Sequence, residues 1–259
     1  MKVTVILPTY NEAKNIEKII PKIHEALKKY NHEILVVDDD SPDGTWEVAA
    51  KLGENGYPVK VLLRSNEKKI KSDIIKTVRL NKKSLSAAVI EGFKEADGDI
   101  FIVMDADGQH PPEHLPELIE KLKECDLVIG SRYVEGAKIE EWSLYRYIVS
   151  RAFTIVAKIF LPPLRNISDV NAGFFAVKSD VVKRSVYEYD GYGFKILWEV
   201  IIKGRPEKIC EIPIVFRNRM AGKSKAGVKI AWEGFKNMIK LRKYMRGEKN
   251  GRKNTRGNS

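Results

Sequence analysis

Through the first half of the chain, short β-branched runs alternate with stretches of helical period, the pattern of βα units feeding a mainly parallel sheet. The apolar runs predict strands over 3–7, 33–37, 59–63, 100–104 and 127–129, separated by helices over 12–29, 45–52, 85–96 and 112–123. After residue 131 the pattern changes to a long amphipathic stretch over 142–161, a strand at 173–177, two short helical segments and a strand at 211–216. These are expected to complete the sheet and wall one side of a crevice. Further on, Val228, Ala231, Trp232, Phe235, Met238 and Ile239 recur at helical spacing on one face. The closing RGEKNGRKNTRGNS, residues 246–259, has almost no apolar content and is expected to be disordered. Segment 64–85, RSNEKKIKSDIIKTVRLNKKSL, is lysine-rich without a clean period and reads as an exposed excursion. Its RSNEKK and RLNKKS resemble each other at an offset of fifteen, as a short tandem duplication would.

Composition narrows this picture. With 259 residues, 43% hydrophobic and 31% charged, the chain can bury a large core, which excludes a disordered or fibrous protein. Residues 217–259 carry 14 basic and 2 acidic side chains, so the +12 there exceeds the whole chain's +11 and leaves the remainder at −1. A near-neutral body with a basic C-terminal region calls for an anionic partner at that end. Cys125 and Cys210 lie far apart, form no CxxC pair and read as two free thiols, which fits a reducing compartment. The opening MKVTVILPTY reads as a strand rather than a signal peptide, and no uncharged stretch approaches the ~20 apolar residues of a spanning helix.

The polar clusters follow the C-terminal ends of predicted strands: TYNE after the first, DDDSPDGT after the second, DADGQHPP after the fourth. Open α/β sheets bind ligands there, where loops converge and helix N-termini present unpaired N–H groups. Asp105, Asp107 and Gln109 set three oxygen donors in one run, suited to Mg2+ or Mn2+, which needs one or two carboxylates and completes its shell on substrate phosphates. A bare DxD triplet is more often a capping turn; the strand before it and the matching neighbouring clusters favour a ligand site. Of the adjacent carboxylates Asp38, Asp39 and Asp40, the first two are expected to face the donors of a base or ribose, while helix capping explains Ser41 and Asp43. Pro8, Tyr10, Asn11 and Glu12 close the first strand, where an aromatic ring suits a base. Separated basic residues around one crevice suit phosphorylated substrates. Arg219, Gly222, Ser224 and Lys225 read as a loop that closes over phosphate, with membership of the basic tail as the bland alternative.

MKVTVILPTYNE, VVDDDSPDGTW, LSAAVIEGF, VMDADGQHPPE, IGSRY, WSLYR, GFFAV and RMAGKSK together make residues 1–235 resemble a family 2 glycosyltransferase of the dolichyl-phosphate mannose synthase type. The resemblance implies a GT-A fold, a Rossmann-like α/β architecture on a mainly parallel central sheet. It implies one catalytic domain, with a nucleotide-sugar half over 1–130 and an acceptor half over 131–235, followed by a basic helix end and tail over 236–259. It further implies inverting transfer of mannose from GDP-mannose to a dolichyl or polyprenyl phosphate with Mg2+ or Mn2+. Residues matching the family's nucleoside contacts are Pro8, Tyr10, Glu12, Val37 and Asp39; those for diphosphate and metal are Asp105, Ala106, Asp107 and Gln109. Arg132, Arg146, Arg219 and Lys225 match residues that face phosphates of donor or acceptor. The chain departs from the pattern at Ser84, where the family commonly has glycine, in the longer 64–83 segment, and at Val170 and Ala172, where proline and serine are usual.

A lipid acceptor requires contact with a membrane surface. Ile148, Ala152, Ile155, Val156 and Ile159 form an apolar stripe that, with the 228–239 helix and the basic tail, suits a peripheral anchor on the cytoplasmic face, or else an ordinary core face. UDP-glucose as donor, or a sugar hydroxyl as acceptor, are the neighbouring enzymatic readings; no acidic pair near Asp169 or Asp190 compels the latter. Nothing resembles a nucleic-acid module, so no nucleic acid is expected as partner despite the basic end, and a nucleotide-binding module without turnover is the remaining non-enzymatic reading.

Overall fold

The computed structural model describes residues 1–140, 142–220 and 228–256, apart from the side chains of residues 145, 146, 228–231 and 248–256. Eight strands form the central sheet: β1 (Lys2–Thr9), β2 (Asn31–Asp38), β3 (Val59–Arg64), β4 (Ile75–Val78), β5 (Ile100–Val103), β6 (Leu127–Ser131), β8 (Phe175–Lys178) and β9 (Ile209–Pro213). Their order is β4-β3-β2-β1-β5-β8-β6-β9, parallel throughout except for β8, which runs antiparallel to both neighbours. Two short strands, β7 (Lys138–Ile139) and β10 (Val215–Phe216), pair in parallel beside it. Every strand predicted from the sequence is present, and the α/β class with a mainly parallel sheet is the architecture observed.

Because strand side chains alternate, the sheet buries both faces. Val5, Leu7, Ile34 and Val36 join α1 (Ala13–Leu27), α2 (Thr45–Glu54) and α4 (Leu115–Lys121) in one core. Ile6, Leu35, Val37 and Phe101 join α3 (Leu85–Glu95) and α7 (Ile196–Gly204) in the other. Gly92 lets α3 close on the sheet: a Cβ there would lie 2.7 Å from Ile6 Cγ2 and 3.1 Å from Val37 Cγ2. That close approach brings the N-terminus of α3 to the strand ends. Ser84 caps it, accepting from Ala87 N at 3.1 Å and donating to Gly191 O at 2.9 Å.

Three expectations are corrected. The 64–85 segment is not merely an exposed excursion: β4 lies within it and extends the sheet, and Arg64 at its start is buried. The cysteines are not free thiols, because Cys125 and Cys210 form a disulfide with Cα atoms 6.2 Å apart. The fold makes the pairing by returning β9 alongside β6, with Cys210 opposite Val128, and the argument for a reducing compartment falls with it. The basic tail is helical as far as Arg256, as the end of α8 (Val228–Arg256) rather than disordered; lysines and arginines there are good helix formers and sit favourably toward a helix C-terminus.

Helix α5 (Leu144–Phe160) follows the amphipathic stretch, with Thr154 and Ala157 buried. Its stripe of Ile148, Ala152, Ile155, Val156 and Ile159 faces outward instead of into the core. On α8 the expected face divides: Met238 is buried with Leu241, whereas Trp232 and Ile239 are exposed. Among the described residues no helix is long and apolar enough to cross a membrane.

Candidate active site

Strand-end loops of β1, β2, β5 and β6, the N-terminus of α3 and the loop before α7 enclose a cavity of about 390 Å³. Pro8, Tyr10, Glu12, Asp39, Asp105, Asp107, Gln109, Arg132 and Arg219 line it, gathering most of the residues singled out from sequence. The side chains of Val37 and Ala106 do not line it; both are buried in the cores behind. Arg146 has its backbone in α5, but its side chain, like the whole of Lys225, lies outside the described residues.

At the first two strand ends, side chains tie the loops together. Asn11 N donates to Ser41 Oγ, Glu12 N to Thr45 Oγ1 and Ala13 N to Asp43 Oδ2, at 3.0, 2.9 and 3.1 Å. Asp38, expected to face a ligand, is instead fully buried and accepts from Thr9 Oγ1, Ser41 N and Ser41 Oγ. It is a structural brace for the loop. Asp39 is the carboxylate that reaches the cavity, and burial pushes it up to about 6 although Arg64 draws it back. Arg64 pairs with Asp39 and also donates to Lys82 O at 2.6 Å, tying the far end of the β4 excursion to this carboxylate. Sequence reasoning missed Arg64 as a site residue, since its partner lies on another strand. Lys83 sits 3.5 Å over the Tyr10 ring and lines the same end.

At the end of β5, Gly108 takes φ +80°, and Met220 packs so closely that a Cβ would meet it at 2.6 Å, so the turn requires glycine. Asp107 Oδ1 accepts from Gln109 N at 3.0 Å. Segment 217–220 is laid over this turn: Arg217 N donates to Gln109 O and Met220 N to Asp107 O. Arg219 then reaches Asp107 Oδ2 at 3.0 Å and Gln109 Oε1 at 3.2 Å. Burial raises both Asp105 and Asp107, and Asp107 is raised further by its neighbour Asp105. His110, buried and stacked on Phe174, is held down at about 4 and is therefore a neutral acceptor, through Nδ1, for Asp105 N at 3.0 Å.

Two desolvated carboxylates with an amide oxygen between protein and cavity form a hard-oxygen donor set that favours added positive charge. Among the described residues no group of three His, Cys, Asp or Glu forms a complete metal cage. With Arg219 bonded to Asp107 Oδ2 and Gln109 Oε1, the donor set suits a divalent cation that completes its coordination on phosphate rather than one held by protein alone.

On the opposite side, Arg132 grips Asp169 with two bonds, Nε to Oδ2 at 2.7 Å and a terminal nitrogen to Oδ1 at 2.8 Å, while its backbone N donates to Oδ2 at 3.1 Å. Burial disfavours both charges, yet the pairing outweighs it, leaving the arginine raised and the aspartate lowered. Trp142 and Phe216 rings lie 5.3 and 5.2 Å from the guanidinium. Asp190 pairs with Lys203 at 2.9 Å and does not line the cavity. Among the described residues the carboxylates that do are Glu12, Asp39, Asp105 and Asp107, all on the β1, β2 and β5 side.

Residues 4–188 match the family model described as glycosyl transferase family 2. A dolichol-phosphate mannosyltransferase of Pyrococcus furiosus is 47% identical over 245 residues, covering 94% of this chain and 64% of that protein. An undecaprenyl-phosphate mannosyltransferase of Micrococcus luteus is 34% identical over 246 residues, covering 93% of each chain. A dolichol-phosphate mannosyltransferase of Mycosarcoma maydis is 31% identical over 251 residues, covering 93% of this chain and 79% of that one. The chain thus spans a little under two thirds of the Pyrococcus relative. In fold it is similar to glucosyl-3-phosphoglycerate synthase from Mycobacterium tuberculosis, solved with Mn2+, UDP-glucose and phosphoglyceric acid. That likeness has a TM-score of 0.65 at 16% identity and covers 93% of this chain and 79% of that one. With the family model spanning the sheet from β1 to β8 and the relatives nearly the whole sequence, the chain belongs to glycosyl transferase family 2, and its architecture is the GT-A fold.

Proposed function

We propose that this protein transfers mannose from GDP-mannose to a dolichyl or other polyprenyl phosphate, inverting the anomeric centre to give a β-linked lipid mannosyl phosphate. The relatives' names support mannose and a polyprenyl phosphate. The observation that carries the choice of a phosphate acceptor is the division of charge in the cavity. Among the described residues all four lining carboxylates belong to the β1, β2 and β5 side, and the wall near β6 offers Arg132, paired with Asp169. A sugar hydroxyl would call for a carboxylate base on the acceptor side. A phosphate is already anionic near neutral pH, so a cationic wall suits it.

In this reading Tyr10 and Asp39 receive the nucleoside, with Pro8, Glu12 and Lys83 around it. Asp105, Asp107 and Gln109 would hold Mg2+ or Mn2+, which supplies Lewis-acid neutralisation of the leaving diphosphate. Arg219 supplies positive charge at the same place, and Lys225 is proposed to add to it. The protein's contribution is alignment of acceptor oxygen, anomeric carbon and leaving oxygen, together with electrostatic stabilisation, rather than proton transfer. The outward stripe of α5, with Ile148 and Ile159 at 55% and 62% exposure, supports docking on a membrane surface, where the prenyl chain stays in the bilayer.

The test is an organic-phase extraction assay with a short polyprenyl phosphate, Mg2+ or Mn2+, and labelled GDP-mannose or UDP-glucose. Metal-dependent mannose in the lipid phase, at least 100-fold lower in Asp107→Ala, is the expected result. Labelling from UDP-glucose alone would replace the donor, and wild-type rates in Asp107→Ala would remove the proposed metal site.

A further inference from the structure

Lys195 is a charged residue of the cavity that the sequence does not single out. It stands immediately before α7, lines the cavity beside Phe194, and has Arg132, Asp169 and Asp105 as its charged neighbours. Among the described residues its ammonium has no hydrogen-bond acceptor and no carboxylate within ion-pair distance; the nearest ring, Phe153, is 5.9 Å away. Asp169 acts on it only at a distance, its direct bonds being to the Arg132 guanidinium and backbone N. Burial and Arg132 together lower Lys195 to about 8.

The loop that carries Lys195 is fixed from several directions. Buried Glu199 accepts from Asp190 N at 2.5 Å and Gly191 N at 3.0 Å. Ser84 Oγ donates to Gly191 O, and Ser86 N donates to Gly193 O at 3.0 Å. Gly191 and Gly193 take φ of +62° and +63°, which lets the loop turn back against the N-terminus of α3. These bonds hold the backbone before α7 in place, so the half-buried Lys195 enters the cavity from a fixed base. An unpartnered ammonium facing an enclosed space is costly without an anion and well placed for one.

We propose that Lys195, with Arg132, binds the phosphate of the acceptor. The inference rests on the reading of the cavity as a glycosyl-transfer site and adds to it a second acceptor-side cation. Arg132 is oriented by Asp169 and offers its remaining N–H groups, while Lys195 supplies a compact charge with all its donors available. The two cations face one anion from adjoining parts of the wall, leaving the donor's diphosphate to Arg219 and the β5 turn.

The test is equilibrium binding to the whole chain, with farnesyl monophosphate, farnesol and inorganic phosphate as acceptor-side probes and GDP with Mn2+ as the donor-side probe. Lys195→Met is expected to weaken farnesyl monophosphate at least tenfold, to change farnesol and GDP–Mn2+ by less than twofold, and to melt at or above the wild-type temperature, because an unpaired, half-buried charge has been removed. Lys195→Arg should recover most of the affinity, and Lys195→Gln carries the same comparison if the methionine variant folds poorly. Wild-type binding of inorganic phosphate but not of farnesyl monophosphate, lost in Lys195→Met, would keep the phosphate role and overturn the lipid acceptor. Unchanged phosphate and farnesyl monophosphate binding in Lys195→Met, an equal loss of GDP–Mn2+ binding, or no phosphate binding by the wild type would overturn the inference.

Discussion

At the scale of single residues, the site is a set of carboxylates whose neighbours decide what each can do. Asp38 and Asp39 are adjacent in sequence and opposite in role: one is spent on three hydrogen bonds to Thr9 and Ser41, the other opens on the cavity with Arg64 behind it. A carboxylate that accepts from a base must be ionised. With Asp39 held at about 6, guanosine affinity measured without metal should be flat from pH 8 to 7 and fall as pH drops through about 6, because protonation removes the acceptor. Asp39→Asn should lose both the affinity and this pH dependence; wild-type affinity that stays constant down to pH 5 would contradict the assignment. The same substitution leaves Arg64 buried without its counter-ion, a change that typically costs about 3–5 kcal/mol, so urea denaturation should show a matching loss of stability. The strand-end acids Asp105, Asp107 and Asp39 were legible because polar clusters after apolar runs mark loops at the sheet's C-terminal edge. Arg64, Lys83 and Lys195 were not, because a lone basic residue in sequence gives no sign of which distant carboxylate or ring it will meet.

At the scale of elements, period and turn chemistry located every long strand, and the ends differ by a few residues. What the pattern could not give is pairing. Strand β4 escaped notice because its four residues, IKTV, sit at the sheet edge in a half-exposed setting where alternation is weak. The antiparallel β8 between β5 and β6, and β9 beside β6, are long-range choices that no local window contains. The disulfide is their direct consequence: its cysteines are 85 residues apart and meet because β9 returns beside β6. Closing a loop of that length typically stabilises by about 2–4 kcal/mol. Replacing Cys125 and Cys210 by serine should lower the thermal midpoint by roughly 4–16 °C, with ligand binding in the cavity unaffected because the pair does not line it. Equal melting of the oxidised and reduced wild type would contradict a stabilising bridge. Free thiols titrating in the unreduced protein would contradict the bridge itself.

At the scale of the whole molecule, the sheet places the cavity's carboxylates along one side, with Lys83 and Arg219 among them, and Arg132 with Lys195 along the other, while α5 turns an apolar stripe outward and α8 carries the basic C-terminal charge. The sequence left the α5 stripe open between core and surface, since period alone cannot say which face a neighbour will cover; in the fold it stays exposed. Replacing Ile148, Ile155 and Ile159 by serine should reduce binding to anionic liposomes at least tenfold without lowering thermal stability, because exposed side chains contribute little to folding. Unchanged sedimentation with the liposomes would exclude this helix as the docking face. Whether the cavity joins a sugar to a lipid phosphate by direct displacement is decided by NMR of the purified lipid-phase product. The expected product is one β-mannosyl phosphodiester, with the sugar's anomeric carbon bonded to the lipid's phosphate oxygen. An α-linked sugar, or a glycoside of a hydroxyl with no phosphate between, would contradict it.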